Sequence, residues 1–371
     1  MIPILLPRYF QQRVLNWFNA HGRKNLPWQQ KKLPYHVWLS EIMLQQTQVA
    51  TVIPYFKRFI KQFPNLSSLA AANLDDVLSL WAGLGYYARG RNLHRCAQMI
   101  EQEYAGKFPQ NLIQLQSLPG IGRSTAGAIL SLGFDHAAAI LDGNVKRVLT
   151  RFHALTGWPG LSAVNKTLWE LAERYTPTRQ TAAYTQAMMD LGGLICTRTQ
   201  PKCDQCPLQT HCLAYNTGNP VNFPSPKPSK KLPIRSIQML ILVNQQQEIL
   251  LEKRPAAGIW GGLWSLPECP SDEDSKNFSK KHYYCATEKA SQLTQMRHTF
   301  SHFHLDIHAV VMLVKEWRPP LMESDRIVWY NVQQLQKKGL ATPVKKLILF
   351  ALEFSATQPK IQVRRVYPTI K

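Results

Sequence analysis

Hydrophobic residues recur every three or four positions over most of the chain from Tyr9 to about Tyr215. This spacing predicts amphipathic helices. The clearest cover residues 37–53, 66–84, 92–104 and 165–175, and two shorter ones cover 111–117 and 123–132. Strand-like alternation is nearly absent from this region. We therefore expect an all-α domain over residues 1–216.

The pattern changes at residues 217–233, where prolines and lysines are interspersed and predict an extended linker. Beyond the linker, alternate positions are apolar, which is the period of a β-strand. Strands are predicted at 236–243, 248–253 and 302–313, and helices at 331–339 and 343–354. This order predicts a separate α+β domain over 234–360 with an antiparallel sheet, followed by a basic tail at 361–371.

The charge of the chain narrows the range of partners. There are 44 Lys and Arg against 23 Asp and Glu, a formal net charge of +21. The basic residues are dispersed, so we expect a folded basic surface that binds a polyanion such as DNA. No stretch approaches the length of a membrane-spanning helix, which argues against a membrane partner. The N-terminus lacks a charged leader and a cleavage pattern, so we expect a cytoplasmic protein.

The run Leu118-Pro119-Gly120-Ile121-Gly122 separates two of the predicted helices. Its proline and two glycines predict a tight turn where the backbone closely approaches another molecule. The first N–H groups of the following helix point at this turn and can bind a phosphate oxygen. The spacing lacks the third glycine of a dinucleotide fingerprint and the Gly-Lys-Ser/Thr of a phosphate loop. The run therefore predicts a helix-hairpin-helix clamp on nucleic acid, with an ordinary turn as the alternative.

Four of the seven cysteines lie within residues 196–212, on a loop after a predicted helix. They are Cys196, Cys203, Cys206 and Cys212. The other three are scattered without a disulfide pattern, as in a protein of a reducing compartment. Four thiolates suit zinc or an iron–sulfur cluster. The gaps of six, two and five residues match neither zinc-ribbon nor ferredoxin spacing, so the spacing leaves the metal open.

The order of these features resembles the helix-hairpin-helix DNA glycosylases of the endonuclease III class and, within it, the MutY-type adenine DNA glycosylases. The matching motifs span nearly the whole chain. They are Ser40-Glu41-Ile42-Met43-Leu44-Gln45-Gln46-Thr47, Gly83-Leu84-Gly85-Tyr86-Tyr87, the hairpin, Leu141-Asp142-Gly143-Asn144, the four cysteines and Phe300-Ser301-His302. The resemblance implies that adenine mispaired with 8-oxoguanine or guanine in double-stranded DNA is flipped out and excised. It also implies one [4Fe–4S] cluster, held by the four cysteines.

Cleavage of the bond between adenine and deoxyribose needs an acid for the purine and an anion for the sugar cation. The resemblance implies that Glu41 is the acid, that Asp142 is the anion and that Asn144 orients the site. Apolar helix neighbours are expected to raise the pKa of Glu41. The dipole of the helix after Asp142 is expected to keep that carboxyl ionised. The alternatives are a solvated helix residue for Glu41 and a helix cap alone for Asp142.

The resemblance also assigns residues to DNA and lesion recognition. The DNA contacts that it implies are Gln45, Gln46, Tyr86, Gly120, Ile121, Gly122 and Ser124. Gln46 and Tyr86 match positions that fill the gap left by the flipped base, although by themselves they read as surface and core residues. Trp28 and Gln186 match positions of the adenine pocket. The positions that match the loop contacting 8-oxoguanine are Phe300, Ser301 and His302.

One position separates subclasses of this family. Bifunctional relatives carry a lysine nucleophile just after the hairpin, where this chain has Ser124, and serine cannot form a Schiff base. This predicts a monofunctional glycosylase that leaves an abasic site. The alternatives are a bifunctional endonuclease III-like glycosylase and lyase, and a non-catalytic iron–sulfur protein that binds DNA.

The second domain resembles the opening of a Nudix box at Gly262 and Glu268. The paired glutamates that would bind Mg²⁺ are missing, because the stretch 272–275 that follows reads as a loop. We expect a Nudix-like fold that serves lesion recognition rather than hydrolysis. A monomer is expected, since one asymmetric lesion does not favour twofold symmetry. The sequence does not identify a protein partner.

Overall fold

The structure is a computed structural model that describes residues 5–229, 231–318, 326–331 and 338–357. Contacts divide the described residues into two units. One contains 5–80 and 88–229, and the other contains 81–87 and the described residues from 231 onward. Among the described residues, no helix is both long and apolar enough to span a membrane.

All the regular secondary structure among the described residues of the first unit is helical, which confirms the predicted all-α class. Its α-helices are α1 Pro7–His21, α2 Pro34–Leu44, α3 Val49–Gln62, α4 Leu66–Ala70, α5 Leu74–Trp81, α6 Ala88–Glu103, α7 Leu112–Ser117, α8 Arg123–Ala128, α9 Gly143–Phe152, α10 Ser162–Tyr175, α11 Thr181–Asp190 and α12 Leu213–Asn216. Short 3-10 turns cover Pro27–Gln29, Cys203–Gln205, Gln209–His211 and Pro220–Asn222. Helices α8 and α11 continue as the π-helical turns Ile129–Gly133 and Leu191–Ile195.

The helix predicted at 37–53 is interrupted between α2 and α3. Gln46 has a φ of 57°, a left-handed conformation that few residues other than glycine adopt. One arginine, Arg89 at the start of α6, closes the end of α2. Its Nη1 donates to the carbonyl oxygens of Ile42, Met43 and Gln45 at 2.8, 2.9 and 2.5 Å. The guanidinium thereby satisfies carbonyl groups that the end of a helix leaves without partners.

An aromatic cluster joins the N-terminal helix to the helices that carry the site. Phe10 of α1 lies 5.0 Å from Phe152 and 4.3 Å from Tyr175, between ring centroids. On α9, Val145 and Leu149 are buried on the same face as Phe152. Burial of each large side chain contributes roughly 1.5–3 kcal/mol. The packing therefore fixes α9 in place before any polar contact is considered.

Among its described residues, the second unit has one seven-stranded sheet. Its strands are β1 Ile234–Val243, β2 Glu248–Lys253, β3 Trp264–Ser265, β4 Glu268–Pro270, β5 Cys285–Thr299, β6 His304–Trp317 and β7 Ile327–Asn331. They are arranged in the order β3-β2-β1-β6-β5, with β4 paired to β1 and β7 to β2. Its helices are α13 Ser275–Tyr283 and α14 Thr342–Thr357. The α+β class is confirmed.

The sheet is mixed rather than antiparallel, so the predicted strand direction is wrong at one pair. Strands β1 and β6 run parallel from the pair Ile234 and His304 to the pair Val243 and Leu313. Alternation of apolar residues reports the faces of a strand but not its direction. The long connection through α13 and β5 brings the chain back in the same direction.

Two other expectations change in this unit. The stretch 272–275 is not simply a loop, because Asp274 caps α13 by accepting a 2.8 Å hydrogen bond from the Asn277 N–H. Most of the predicted helix 331–339 lies outside the described residues, and Asn331 ends β7. The helix predicted at 343–354 is confirmed as part of α14.

Gly127 provides a test of the packing of α8. A Cβ at this position would lie 2.2 Å from the carbonyl oxygen of Ala139, so Gly127→Ala must displace backbone. We expect the free energy of unfolding to fall by about 1–3 kcal/mol, measured by urea unfolding followed by helical circular dichroism. Gly143→Ala is the control, because a Cβ there meets no atom within 4 Å. Equal stability of the two variants would contradict this packing.

Candidate active site

Asp142 stands at the N-terminus of α9 and is held there by two hydrogen bonds. Its Oδ1 accepts from the Val145 N–H at 2.7 Å, and its Oδ2 accepts from the Asn144 Nδ2 at 3.1 Å. The predicted helix cap is thus present at the proposed catalytic position. A cap of this kind fixes both oxygens of the carboxylate relative to the helix axis.

Glu41 on α2 lies close enough to Asp142 for the two charges to interact. Burial and, as a smaller contribution, the negative charge of Asp142 together raise the pKa of Glu41 to about 8. The pKa of Asp142 is also raised, because burial outweighs the hydrogen bonds from Val145 and Asn144 and the charge of Arg147. The prediction that Asp142 is ionised stays a prediction, since these hydrogen bonds and the charge of Arg147 lower the pKa while burial raises it. Among the described residues, hydrogen-bond donors reach the Asp142 carboxylate but not that of Glu41, so the proton of the pair belongs on Glu41.

The hairpin predicted from the sequence is present, and it is joined to this carboxylate pair. Gly120 has a φ of 78° and Ile121 is buried. Gly122 is the N-cap residue of α8 and, because it has no side chain, it provides no side-chain hydrogen bond to the first N–H groups of that helix. The Ser124 Oγ accepts a 3.0 Å hydrogen bond from the Leu141 N–H. Ser124 therefore ties the hairpin helix to the residue before Asp142.

A cavity of about 250 Å³ lies beside α2. Trp28 and Gln186, both predicted for the adenine pocket, line it together with Arg23, Val37 and Ser40. Ser40 directly precedes Glu41. The structure thus brings the two predicted pocket residues together at one cavity.

The four cysteines surround a second cavity, between α9 and the loop 196–212. All four are free thiols and only partly exposed. Among the described residues, no group of three or more His, Cys, Asp or Glu side chains is arranged to bind a single metal ion.

Two arginines that the sequence marked only as basic surface connect α9 to the cysteine loop. Arg147 donates to the carbonyl oxygens of Cys196 and Gly192 at 2.6 and 2.5 Å, and to the Asn144 Oδ1 at 2.8 Å. One continuous path of hydrogen bonds therefore leads from the Cys196 carbonyl through Arg147 and Asn144 to Asp142. Signals for such contacts are absent from the sequence because the acceptors are backbone atoms about 45 positions away.

Arg151 lies one turn further along α9 and is 2% exposed. It donates to the carbonyl oxygens of Thr197, Arg198 and Phe223 at 2.6, 2.8 and 2.8 Å. The last acceptor belongs to the predicted linker, which is thus attached to the first unit at Phe223. Gly192 permits the close approach of this loop, since a Cβ there would lie 2.5 Å from the Asn144 Cβ.

The remaining predicted DNA contacts are at the surface. Gln46 is exposed, and Gln45 donates from Nε2 to the Thr125 Oγ1 of the hairpin helix at 3.5 Å. Tyr86 is 51% exposed with a φ of 47°, which excludes a core role. It belongs to segment 81–87 of the second unit.

The predicted lesion loop joins β5 to β6 in the second unit. The Phe300 N–H donates to the Phe303 carbonyl oxygen at 2.9 Å, and the two rings stack at 4.7 Å. His298 packs edge-on against Phe300 at 4.6 Å. Ser301 and His302 are exposed at the tip. The aromatic contacts hold the base of the loop while its polar residues face solvent.

These features define a helix-hairpin-helix protein of the base-excision class with an appended Nudix domain. Residues 39–174 match the model of the HhH-GPD superfamily of base excision DNA repair proteins, and residues 238–349 match that of the NUDIX domain. A thermostable thymine-DNA glycosylase of known structure has a TM-score of 0.52 and 26% identity, over 57% of this chain and 97% of that chain.

Whole-chain relatives define the family more closely. Adenine DNA glycosylase from Buchnera aphidicola subsp. Schizaphis graminum is 40% identical over 91% of this chain and 97% of that relative. Adenine DNA glycosylase from Homo sapiens is 32% identical over 91% of this chain and 73% of that relative. The chain belongs to the adenine DNA glycosylase family, which confirms the resemblance inferred from its motifs.

The raised pKa of Glu41 predicts a pH-dependent cost to folding. Its ordinary value is 4.5 and its folded value is about 8, so stability from the bound proton is present below the former and lost as the pH rises toward the latter. Glu41→Gln removes this loss. The unfolding free energy of the variant should therefore rise relative to wild type between pH 5 and 8, by up to about 1.4 kcal/mol per pH unit.

Urea unfolding across this pH range tests the prediction. Glu170→Gln, at an exposed position on α10, controls for the loss of one carboxylate. A difference between Glu41→Gln and wild type that stays constant with pH would show that Glu41 titrates normally.

Proposed function

We propose that this protein excises adenine opposite 8-oxoguanine or guanine in double-stranded DNA and leaves an abasic site. The proposal depends on one observation above all. Glu41 and Asp142 lie close enough for their charges to interact, and Glu41 has a pKa of about 8 while Asp142 has hydrogen-bond donors for its anion. Paired acids with separated protonation are what cleavage of a glycosidic bond requires. Membership of the adenine DNA glycosylase family supports the choice of base.

The reaction can be followed atom by atom from these residues. Glu41 donates its proton to the purine as the bond between N9 and C1′ breaks, and the bonding electron pair leaves with adenine. The positive charge left on the sugar is stabilised by the Asp142 carboxylate. Asn144 holds that carboxylate through its 3.1 Å hydrogen bond. Water then adds at C1′, and the ionised Glu41 accepts its proton.

Ser124 supports a hydrolytic outcome. Its hydroxyl is engaged by the Leu141 N–H at 3.0 Å, and it supplies no amine for a Schiff base. The protein then releases adenine without cutting the strand. This distinguishes it from bifunctional relatives, which carry a lysine at the corresponding place.

The hairpin at Gly120–Gly122 would bind the DNA backbone, and the net charge of +21 favours that binding. Gln46 and Tyr86 would fill the space left by the flipped adenine. In the second unit, the exposed tip formed by Ser301 and His302 would contact 8-oxoguanine. A serine hydroxyl can accept from the N7–H that distinguishes this base from guanine.

The second unit is not proposed to hydrolyse nucleotides. Helix α13, which follows Glu268, has the sequence SKNFSKKHY and contains no acidic residue. Glu268 itself forms an ion pair with Arg254. This helix therefore does not provide the carboxylates that would hold Mg²⁺. The role proposed for the second unit is recognition of the lesion.

Cys196, Cys203, Cys206 and Cys212 would hold a [4Fe–4S] cluster. All four line one cavity, and the domain has the helical fold in which such a cluster is expected. When bound, the cluster would order the loop that Arg147 and Arg151 attach to α9. We assign it no part in breaking the glycosidic bond.

Glu41→Gln should slow adenine excision by about 10²-fold or more, because the amide has no proton to donate, while affinity for the duplex persists. The measurement uses labelled duplexes with adenine opposite 8-oxoguanine, guanine, cytosine or thymine, with strand breakage compared before and after alkali. Wild type should break at adenine only after alkali, and fastest opposite 8-oxoguanine.

Three results of this assay would contradict the proposal. Near wild-type excision by Glu41→Gln would remove Glu41 from the reaction. Breakage without alkali would indicate a lyase. Tight binding without excision of any base would favour a non-catalytic DNA-binding protein.

Cys203→Ser should lose iron and acid-labile sulfide, because one cluster ligand is replaced by a weaker donor. Cys96→Ala is the control, since Cys96 is buried on α6 and does not line the cavity. Iron and sulfide are measured on protein purified without oxygen. Stoichiometric zinc in the wild type, or unchanged iron in Cys203→Ser, would contradict the assignment.

A further inference from the structure

Asp190, the last residue of α11, is completely buried and lies one helical turn after Gln186. Its Oδ2 accepts from the Arg23 N–H at 2.7 Å. Its Oδ1 accepts from the Arg23 Nε at 2.9 Å, the Arg23 Nη2 at 2.6 Å and the Gln186 Nε2 at 2.9 Å. Among the described residues, the donors to this carboxylate are Arg23 and Gln186, and both of them line the cavity beside α2.

This arrangement leaves the Gln186 amide only one orientation. A carboxylate oxygen can only accept hydrogen bonds, so it must face the NH₂ of the amide rather than its oxygen. The guanidinium of Arg23 compensates the buried charge at Oδ1, and the backbone N–H of the same residue holds Oδ2. A reversed amide would place two buried acceptors against each other, which costs roughly a factor of ten or more in population. The Gln186 Oε1 is therefore kept away from Asp190 and accepts no hydrogen bond from the described residues.

We infer that Asp190 is a positioning residue that determines which purines the cavity accepts, through the orientation of Gln186. With its NH₂ held by Asp190, Gln186 offers the cavity an acceptor. An acceptor favours a base with an exocyclic amino group at position 6, which is a donor. It disfavours a base with an oxygen there, because two acceptors then meet without a proton between them.

The inference rests on the proposed excision of adenine, and it adds the reason for discrimination against 6-oxopurines. Trp28 supplies an aromatic surface to the same cavity, edge-on to Phe56 at 5.4 Å, but an aromatic face does not distinguish an amino group from an oxygen. Gln29, another amide that lines the cavity, has both of its ends bonded to the backbone of Leu26 and Arg23, whereas the Gln186 Oε1 accepts no hydrogen bond from the described residues.

The test compares excision of adenine with excision of hypoxanthine, each placed opposite 8-oxoguanine, under single-turnover conditions. Asp190→Asn preserves shape, but its own amide can donate or accept, so Gln186 becomes free to reverse. The ratio of the adenine rate to the hypoxanthine rate should fall by about tenfold or more. A purely structural defect would lower both rates and leave the ratio unchanged.

Two further variants make the test specific. Asp135→Asn is the matched control, because Asp135 accepts from the Ala182 N–H at the start of the same helix at 2.9 Å without touching Gln186; its ratio should equal that of wild type. Gln186→Ala should lose the discrimination by itself. In that background, Asp190→Asn should leave the ratio where it is, since the group that it orients is gone.

The outcomes separate this inference from the proposed function. Wild type that excises no adenine contradicts the proposed function. Wild type that excises adenine and hypoxanthine equally well overturns the inference alone, as does an unchanged ratio in Asp190→Asn. If Asp190→Asn does not fold, as judged by circular dichroism, Gln186→Ala still decides, because full discrimination in that variant overturns the inference.

Discussion

The attachment of α9 to the cysteine loop by Arg147 and Arg151 is the interaction on which the site depends. An irregular loop exposes carbonyl groups that no helix or sheet satisfies. Two guanidinium groups, on successive turns of one helix, supply the donors. Because Asp142 caps the start of that helix, the position of its carboxylate is set by contacts made far along the chain. Apolar packing of the same helix supports it from the opposite side.

The proposed mechanism also requires one protonated acid and one ionised acid, and Glu41 and Asp142 differ in the hydrogen-bond donors that reach them. Both carboxyl groups are partly buried, and burial favours the neutral form of each. Asp142 receives hydrogen bonds from the start of α9, whereas the charge of Asp142 acts on Glu41 in the direction of protonation. The difference between the two residues therefore lies in their donors rather than in their depth. One acid can then give a proton while the other remains an anion.

The sequence predicted the parts of the site that depend on local pattern. The hairpin, the helix cap at Asp142 and the cysteine group each occupy a short stretch with a recognisable spacing. The break after α2 was missed because apolar periodicity continues through it, and the reason for the break lies in Arg89, more than 40 positions away. The parallel pairing of β1 and β6 was missed for a similar reason, since alternation carries no direction.

The side chains that orient the site could not be predicted at all. Arg147 and Asp190 act on residues that were predicted, but their own partners are backbone carbonyls or a distant arginine. Nothing in the type or the spacing of these residues distinguishes them from ordinary charged residues. They become visible only when the fold brings their partners to them.

Gly192 shows how much a residue without a side chain can matter. Its backbone lies so close to Asn144 that even a methyl group would overlap with it, and the carbonyl of the same residue accepts from Arg147. Substitution here would separate the loop from α9 at the point next to Asn144. In a survey of variants, substitutions at position 192 would lower activity as substitutions of a catalytic residue do, although Gly192 takes no part in the chemistry. The sensitivity of this position to substitution would result from the short distance between two segments of the chain, and not from any reactivity of Gly192.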